Sequence, residues 1–176
     1  MRWESLFADL AAQWEAARRE EDEARIADLA EAEMGRVTLA DRLRATRGAA
    51  LTLVLADGST TTGTVLDAAV HWLLLADGER RRVVPVAAVA AAWPLGVAAP
   101  APGVVEQRLT LGHVLRALAR EGTVIRLRTR AGVYLGRVVR VGADHLDLVL
   151  ATGGAGGGAE RRVTVAVGGL LVIETA

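Results

Sequence analysis

The sequence predicts a mainly β protein with helices: a long N-terminal α-helix, then two tandem five-stranded small β-barrels, each preceded by a short helix. Three observations predict it. Residues 3–33 contain neither Pro nor Gly and repeat apolar residues at three- and four-residue spacing. Residues 37–93 and 109–174 echo each other block by block. Inside each echo, short apolar runs alternate with turn signals at strand spacing.

The helix comes first. Trp3, Leu6, Phe7, Leu10, Trp14 and Ala17 fall on one stripe. The charged run "RREEDEAR" at 18–25 interrupts it, and Ile26, Leu29 and Ala30 resume it in a shifted phase. Trp3, Phe7, Leu10 and Trp14 would be exposed on an isolated helix, so the stripe calls for a cover. Two covers fit: the chain's own barrels, or a docked partner such as a protein or a second copy. The helix is also acidic. Residues 1–33 carry four Arg against ten Asp and Glu, whereas 34–176 carry seventeen Arg against eleven acids. The chain's formal net charge of zero therefore splits into −6 and +6.

The repeat then opens twice on a short helix. "VTLADRLRATRG" at 37–48 answers "LTLGHVLRALAREG" at 109–122, with Thr38, Leu39 and Leu43 matching Thr110, Leu111 and Leu115. Each Thr is an expected N-cap, and Gly48 and Gly122 are expected at the C-terminal ends. "LTLVL" at 51–55 then matches "IRLRT" at 125–129. Gly58 matches Gly132 in a turn, and Gly63 matches Gly136 where a second strand bends and a Cβ would collide. "VPVAAVAAA" at 84–92 matches "VAVGGLLVI" at 165–173. Five short strands in about fifty residues are too few for a sandwich of useful size, which favours a bent, nearly closed sheet. The division expected is a helix over 1–34, a first barrel over 35–93, a Pro/Gly linker over 94–106 and a second barrel over 107–176. Trp72 and Trp93 are expected at barrel ends or at the barrel–barrel contact, and "ATGGAGGGAE" at 151–160 as a hairpin loop.

These residues resemble the Sm-like family of small β-barrels. The resemblance rests on the helix 37–46, "LTLVL", "DGSTTTGTV", "HWLLL" and "VVPVAAV", and on "VIRLR", "AGVYLGRV", "DHLDLVL" and "TVAVGGLLVIE" in the second repeat. It implies an RNA-binding barrel that joins strand four of one unit to strand five of the next. A fused pair would make that contact internally or continue it into a ring. The family's base-contacting Asn is replaced by Trp72 and His145, and its basic pair between strands four and five is missing from "VPVAAV" and "VAVGGL".

Candidate function therefore moves to another surface. In "VIRLRTR", Ile125, Leu127 and Thr129 face one way, and Arg126, Arg128 and Arg130 the other. The first repeat has the uncharged Thr52, Val54 and Ala56 at the matching positions. A row of guanidiniums suits phosphate oxygens, which it grips bidentately. Arg137 and Arg140 extend the patch, with Arg161–Arg162 as further contributors, and Arg80–Arg82 fit either a hairpin flank or the same patch. Tyr134 and His145 are candidate stacking surfaces, against a partly buried packing residue and a loop residue as their other readings. The alternative partner for the row is the acidic helix over 15–33. The expected function is non-enzymatic binding of RNA or another single-stranded nucleic acid. The rival is a protein-interaction or scaffold module that assembles through strand edges or the N-terminal helix.

Other classes are disfavoured. The chain has no cysteine, so it has no disulfide or thiolate metal site. His71, His113 and His145 lack metal-ligand spacing, and Ser5 and Ser59 sit in no nucleophile motif. No enzyme activity, cofactor or metal is expected. No apolar run has bilayer length and the first residues lack a signal-peptide pattern, so the expectation is a cytoplasmic protein without a membrane partner.

Overall fold

The computed structural model describes residues 2–151 and 161–175. They form sixteen elements in two compact units, 1–37 and 38–176.

The first unit is helix α1 (Arg2–Met34). Its side chains are described from Gln13 onward, and those are exposed. Trp14 is 70% exposed, and Ile26, Leu29 and Met34 are also exposed. The side chains of Trp3, Phe7 and Leu10 lie outside the described residues. No helix among the described residues is long and apolar enough to cross a membrane.

The second unit is a single antiparallel sheet of ten strands carrying three helices. In chain order these are α2 (Leu39–Arg44), β1 (Ala50–Leu55), β2 (Thr60–Ala68), β3 (Trp72–Asp77), β4 (Arg80–Pro85) and β5 (Val89–Trp93). Then come α3 (Val104–Arg108), α4 (Leu111–Glu121), β6 (Val124–Thr129), β7 (Gly132–Val141), β8 (His145–Leu150), β9 (Arg162–Ala166) and β10 (Leu170–Thr175). A short 3₁₀ turn leads into β5 (Val86–Ala88) and another into β10 (Val167–Gly169).

The spatial order is β5-β1-β2-β3-β4-β10-β6-β7-β8-β9. Each repeat thus has the same internal order, its fifth strand beside its first. The hydrogen bonding differs from two closed barrels. Among the described residues the sheet is open, with β5 and β9 at its edges, because β4 pairs with β10 and not with its own β5. The seam register is Val83 with Ile173, Arg82 with Glu174 and Arg81 with Thr175. The hairpin loop expected over 151–160 lies, apart from Ala151, outside the described residues.

Alternation in the strands builds two cores. Leu51, Leu53 and Leu55 pack with Val65, Leu73, Leu75 and Val84 under Leu43 of α2. Ile125, Leu127, Val138, Leu146 and Leu148 pack under Leu111, Leu115 and Leu118 of α4. The seam strands serve both. Val84, Leu171 and Val172 belong to the first core, and Val83, Leu170 and Ile173 to the second. Trp72 is buried in the second core although it belongs to the first repeat, and its indole N–H donates to the Leu109 carbonyl at 2.9 Å. Trp93, on the edge strand, is 50% exposed instead.

The two bend glycines sit where backbones crowd. A Cβ on Gly63 would lie 2.6 Å from the Ala76 carbonyl oxygen of β3, and one on Gly136 would run into the Val149 carbonyl oxygen of β8. Thr38 caps α2 by accepting from the Asp41 N–H at 3.2 Å, while Asp41 accepts from the Thr38 N–H. At Thr110 the cap is held by His113, whose Nδ1 accepts from the Thr110 N–H at 3.3 Å. Gly122 ends α4 in the left-handed conformation. Gly48 has a different place: α2 stops at Arg44 with Ala45 as its C-cap, and Gly48 lies in the turn that follows.

The segment over 94–106 is fastened along its length. Arg42 donates to the carbonyls of Leu95 and Gly96, and Arg44 donates to that of Pro100. Glu106 in α3 takes Arg44 at 2.9 Å and Arg47 at 3.2 Å. Burial opposes ionisation of Glu106, yet the Gly103 N–H and the two guanidiniums outweigh it and hold its carboxyl below the ordinary value. Hydrogen bonds from Thr38, helped by Arg44, hold Asp41 low as well.

Candidate functional site

Strand alternation puts Val124, Arg126 and Arg128 of β6 on the face opposite the core, as their burial pattern records. Register then sets their neighbours. Arg126 lies between Glu174 of β10 and Leu135 of β7, and Arg128 lies opposite Val133 of β7. Glu174 in turn lies opposite Arg82 of β4. The row Arg82–Glu174–Arg126 therefore runs across the seam, alternating in charge from one repeat to the other.

Around this row is a groove of about 550 Å³. Thr60, Thr61 and Thr62 of β2, with Asp77, Arg80 and Arg82, supply its first-repeat side; Arg126, Arg128, Val133, Val172 and Glu174 supply the other. A second hollow of about 590 Å³ shares Arg80, Arg126 and Glu174 with it and adds Val124, Leu135 and Thr175. Four guanidiniums stand against two carboxylates in the first groove, a balance of +2 in a chain whose formal net charge is zero.

The four arginines are not equally free. Arg82 is the most enclosed, its side chain 16% exposed. It meets Asp77 at 3.1 Å and Glu174 at 3.1 Å, and it donates to the Thr62 carbonyl. Each of its three nitrogens thus has an acceptor, and the guanidinium fixes the seam. Arg126 is 61% exposed, and its Nε lies 4.0 Å from Glu174. Arg128 is half-buried; its Nε is buried and has no hydrogen-bond acceptor among the described residues. The Ser59 hydroxyl and N–H hold the nearby Asp57 carboxyl below its ordinary value, with a smaller contribution from Arg128.

The other residues singled out in the sequence are scattered. Arg130 follows the end of β6, where its N–H donates to the Gly169 carbonyl, and it does not line the groove. Arg137 lies opposite Val124, on the outward face but beyond the groove lining. Arg140 follows the irregularity in β7 and lies opposite Asp147 of β8. Tyr134 lies opposite Leu127 and packs on the second core, so its ring is on the face away from the arginines. His145 starts β8, with Nδ1 2.9 Å from Asp144 Oδ1, and lies outside the groove. That hydrogen bond holds the Asp144 carboxyl low. Stacking beside the arginine row therefore has no aromatic ring to use among the groove-lining residues.

Sequence reasoning reaches Arg82 only as part of the Arg80–Arg82 run and does not reach Glu174. Glu174 is an acid near the end of an apolar strand, and Arg82 is one of three arginines in a hairpin. Their signal lies in the seam register, which joins positions 92 residues apart. Among the described residues, no three His, Asp or Glu side chains gather as a metal site.

The groove lining carries four guanidiniums against two carboxylates. Its donors outside the Arg82 pair belong to the exposed Arg80 and Arg126 and the half-buried Arg128, its polar wall is threonine, and its far wall is Val133, continued by Val124 and Leu135. No protein-family model matches the chain, and no curated protein matches it significantly.

Proposed function

We propose that the chain is a non-enzymatic nucleic-acid-binding protein whose ligand is RNA, held along the arginine-lined groove at the seam. In this reading each repeat is an Sm-like unit whose sheet curls around its own core. The reading of two curled halves draws on their separate cores and on the carbonyl contacts that exclude a Cβ at Gly63 and Gly136. It draws too on the common strand order of the repeats and on one groove lined from both β2 and β7. The observation that carries the function is the convergence of Arg80, Arg126 and Arg128 from two repeats on one groove with an excess of positive charge. Phosphates would displace water and counterions there, so affinity falls with salt.

The test is fluorescence anisotropy with a mixed-sequence RNA at about 50 and 200 mM salt. Three phosphate contacts on a single strand give a log–log slope of about −2, a loss of roughly sixteenfold across that range. Replacing Arg80, Arg126 and Arg128 by Ser abolishes the binding and flattens the slope. Replacing Arg130 and Arg140, which lie outside the groove, leaves it nearly intact. Equal binding by wild type and the groove variant refutes the reading.

A second reading, assembly of copies through strand edges, draws on the seam itself. Strand four of one repeat already pairs with strand five of the other, while β5 and β9 leave one edge of each kind unpaired. Light scattering on the full chain tests it. A concentration-dependent oligomer dispersed by Trp93→Glu on β5 favours this reading, and an unchanged mass refutes it.

A further inference from the structure

We infer that Glu174 is the resident counter-ion of the groove, holding by its carboxylate the place that a ligand phosphate takes, and that Arg126 is the residue that changes partner. This deepens the nucleic-acid reading and rests on it.

The register makes Glu174 the middle of a three-strand row, with Arg82 on one side and Arg126 on the other. Its two oxygens are divided unequally. Oε1 lies 3.1 Å from Arg82 Nε, a distance at which a charge-assisted hydrogen bond is formed. Oε2 lies 4.0 Å from Arg126 Nε, too far for one. The two arginines differ in the same sense. Arg82 is enclosed and keeps Asp77 and the Thr62 carbonyl as well, so a ligand gains little from it. Arg126 is exposed, and Glu174 is the carboxylate within 4.0 Å of it among the described residues. An exposed, loosely held ion pair contributes little stability, so it breaks at small cost.

An entering phosphodiester therefore exchanges with Glu174 at Arg126 and leaves the Arg82 pair in place. Glu174 does two things at once. It locks the seam through Arg82, and it lowers the groove's affinity by competing at Arg126. Binding is then weaker than the number of arginines alone implies, and reversible without any movement of the strands.

The experiment compares charge-matched variants by RNA anisotropy at several salt concentrations. Glu174→Gln and Asp77→Asn each remove one negative charge from the groove lining. A field effect alone raises affinity equally in both. The exchange raises it about three- to tenfold more in Glu174→Gln, the strength of a single exposed arginine–phosphate pair. The salt slope steepens by about 0.7 in that variant only. In an Arg126→Ser background the extra gain disappears, which isolates the pair. Glu174→Asp keeps the charge but withdraws it from Arg126, so it gives an intermediate gain even if Glu174→Gln loosens the seam. Equal affinities for Glu174→Gln and Asp77→Asn, or a gain that survives in the Arg126→Ser background, overturn the inference while the groove reading stands. Absence of RNA binding in wild type and every variant overturns the groove reading, and this inference with it.

Discussion

β5 and β10 are the same strand of the repeated unit, yet they live in different surroundings. Both follow a 3₁₀ turn and both pair with the first strand of their own repeat. β10 has a second neighbour, β4, and four successive residues, Leu170 to Ile173, are buried. β5 has one neighbour and an open edge. Where β10 writes Leu171, Val172, Ile173 and Glu174, β5 writes Ala90, Ala91, Ala92 and Trp93, and Pro94 follows. The difference teaches what a seam demands of a strand. Apolar side chains are needed on both faces, with an acid placed to meet an arginine. A strand without those features, five residues long and followed by proline, offers only a short edge.

The sharpest way to break the comparison is to exchange one matched position. Leu171 is fully buried, and its counterpart is exposed Ala90. Leu171→Ala should lower unfolding free energy by about 2–5 kcal/mol in urea titration, with the loss falling on the first core although the residue belongs to the second repeat. Ala90→Leu should change it by less than about 0.5 kcal/mol. Comparable effects at the two positions would mean that the seam is not the organising contact.

The next effect tests where the repeats stay alike. Gly63→Ala and Gly136→Ala each drive a Cβ into a carbonyl oxygen of the neighbouring strand, and each should cost about 1–3 kcal/mol. A large cost at one and none at the other would show that only one repeat needs its close approach. A smaller effect belongs to Trp72→Phe, which keeps an aromatic ring and removes the donor to Leu109. It should cost about 1 kcal/mol by the same titration.

The smallest effect is a pH drift that separates the two short helices. Arg44 in α2 is buried between Asp41 and Glu106, whereas its counterpart Arg116 in α4 is exposed. The folded-state values of Asp41 and Glu106 are depressed below their ordinary 3.8 and 4.5. The stability they contribute is therefore complete above about pH 4.5 and is lost as pH falls below that through the folded values. Hydrogen exchange should show α2 loosening in that range before α4. Simultaneous loosening would show that the network around Arg44 contributes nothing measurable.

Much of this fold is legible in the residues because its signals are local. Leu51, Leu53 and Leu55 alternate, and so do Ile125, Leu127 and Thr129; the sheet buries all six. Gly63 and Gly136 are legible because a glycine inside a strand, at matching places in the two repeats, marks a close approach. The N-terminal helix is legible because nothing in 3–33 breaks it. What is not local is not legible from spacing. The pairing of β4 with β10 joins edges far apart in the chain; the resemblance implies it, as strand four of one unit beside strand five of the next, but no spacing encodes it. The groove inherits that opacity. Arg126 and Arg128 stand out as an alternating row, but Glu174 and Arg82 become groove residues only after the seam has formed. Of the two readings of Tyr134, stacking surface and packing residue, the fold selects packing for a related reason. Beside arginines in sequence, it falls on the opposite face once the register pairs it with Leu127. Arg44 looks like any solvent-facing arginine of a short helix, and only the return of Glu106 encloses it.

A ribosome releases a chain from its N-terminus, and β10 emerges after every other described strand. The N-terminal half of the sheet therefore waits, during synthesis, for Leu171 and Val172 to fill its interior. A nascent chain halted before Leu170 would leave β4 with a bare edge and both hydrophobic interiors incomplete, a species prone to stick to its neighbours.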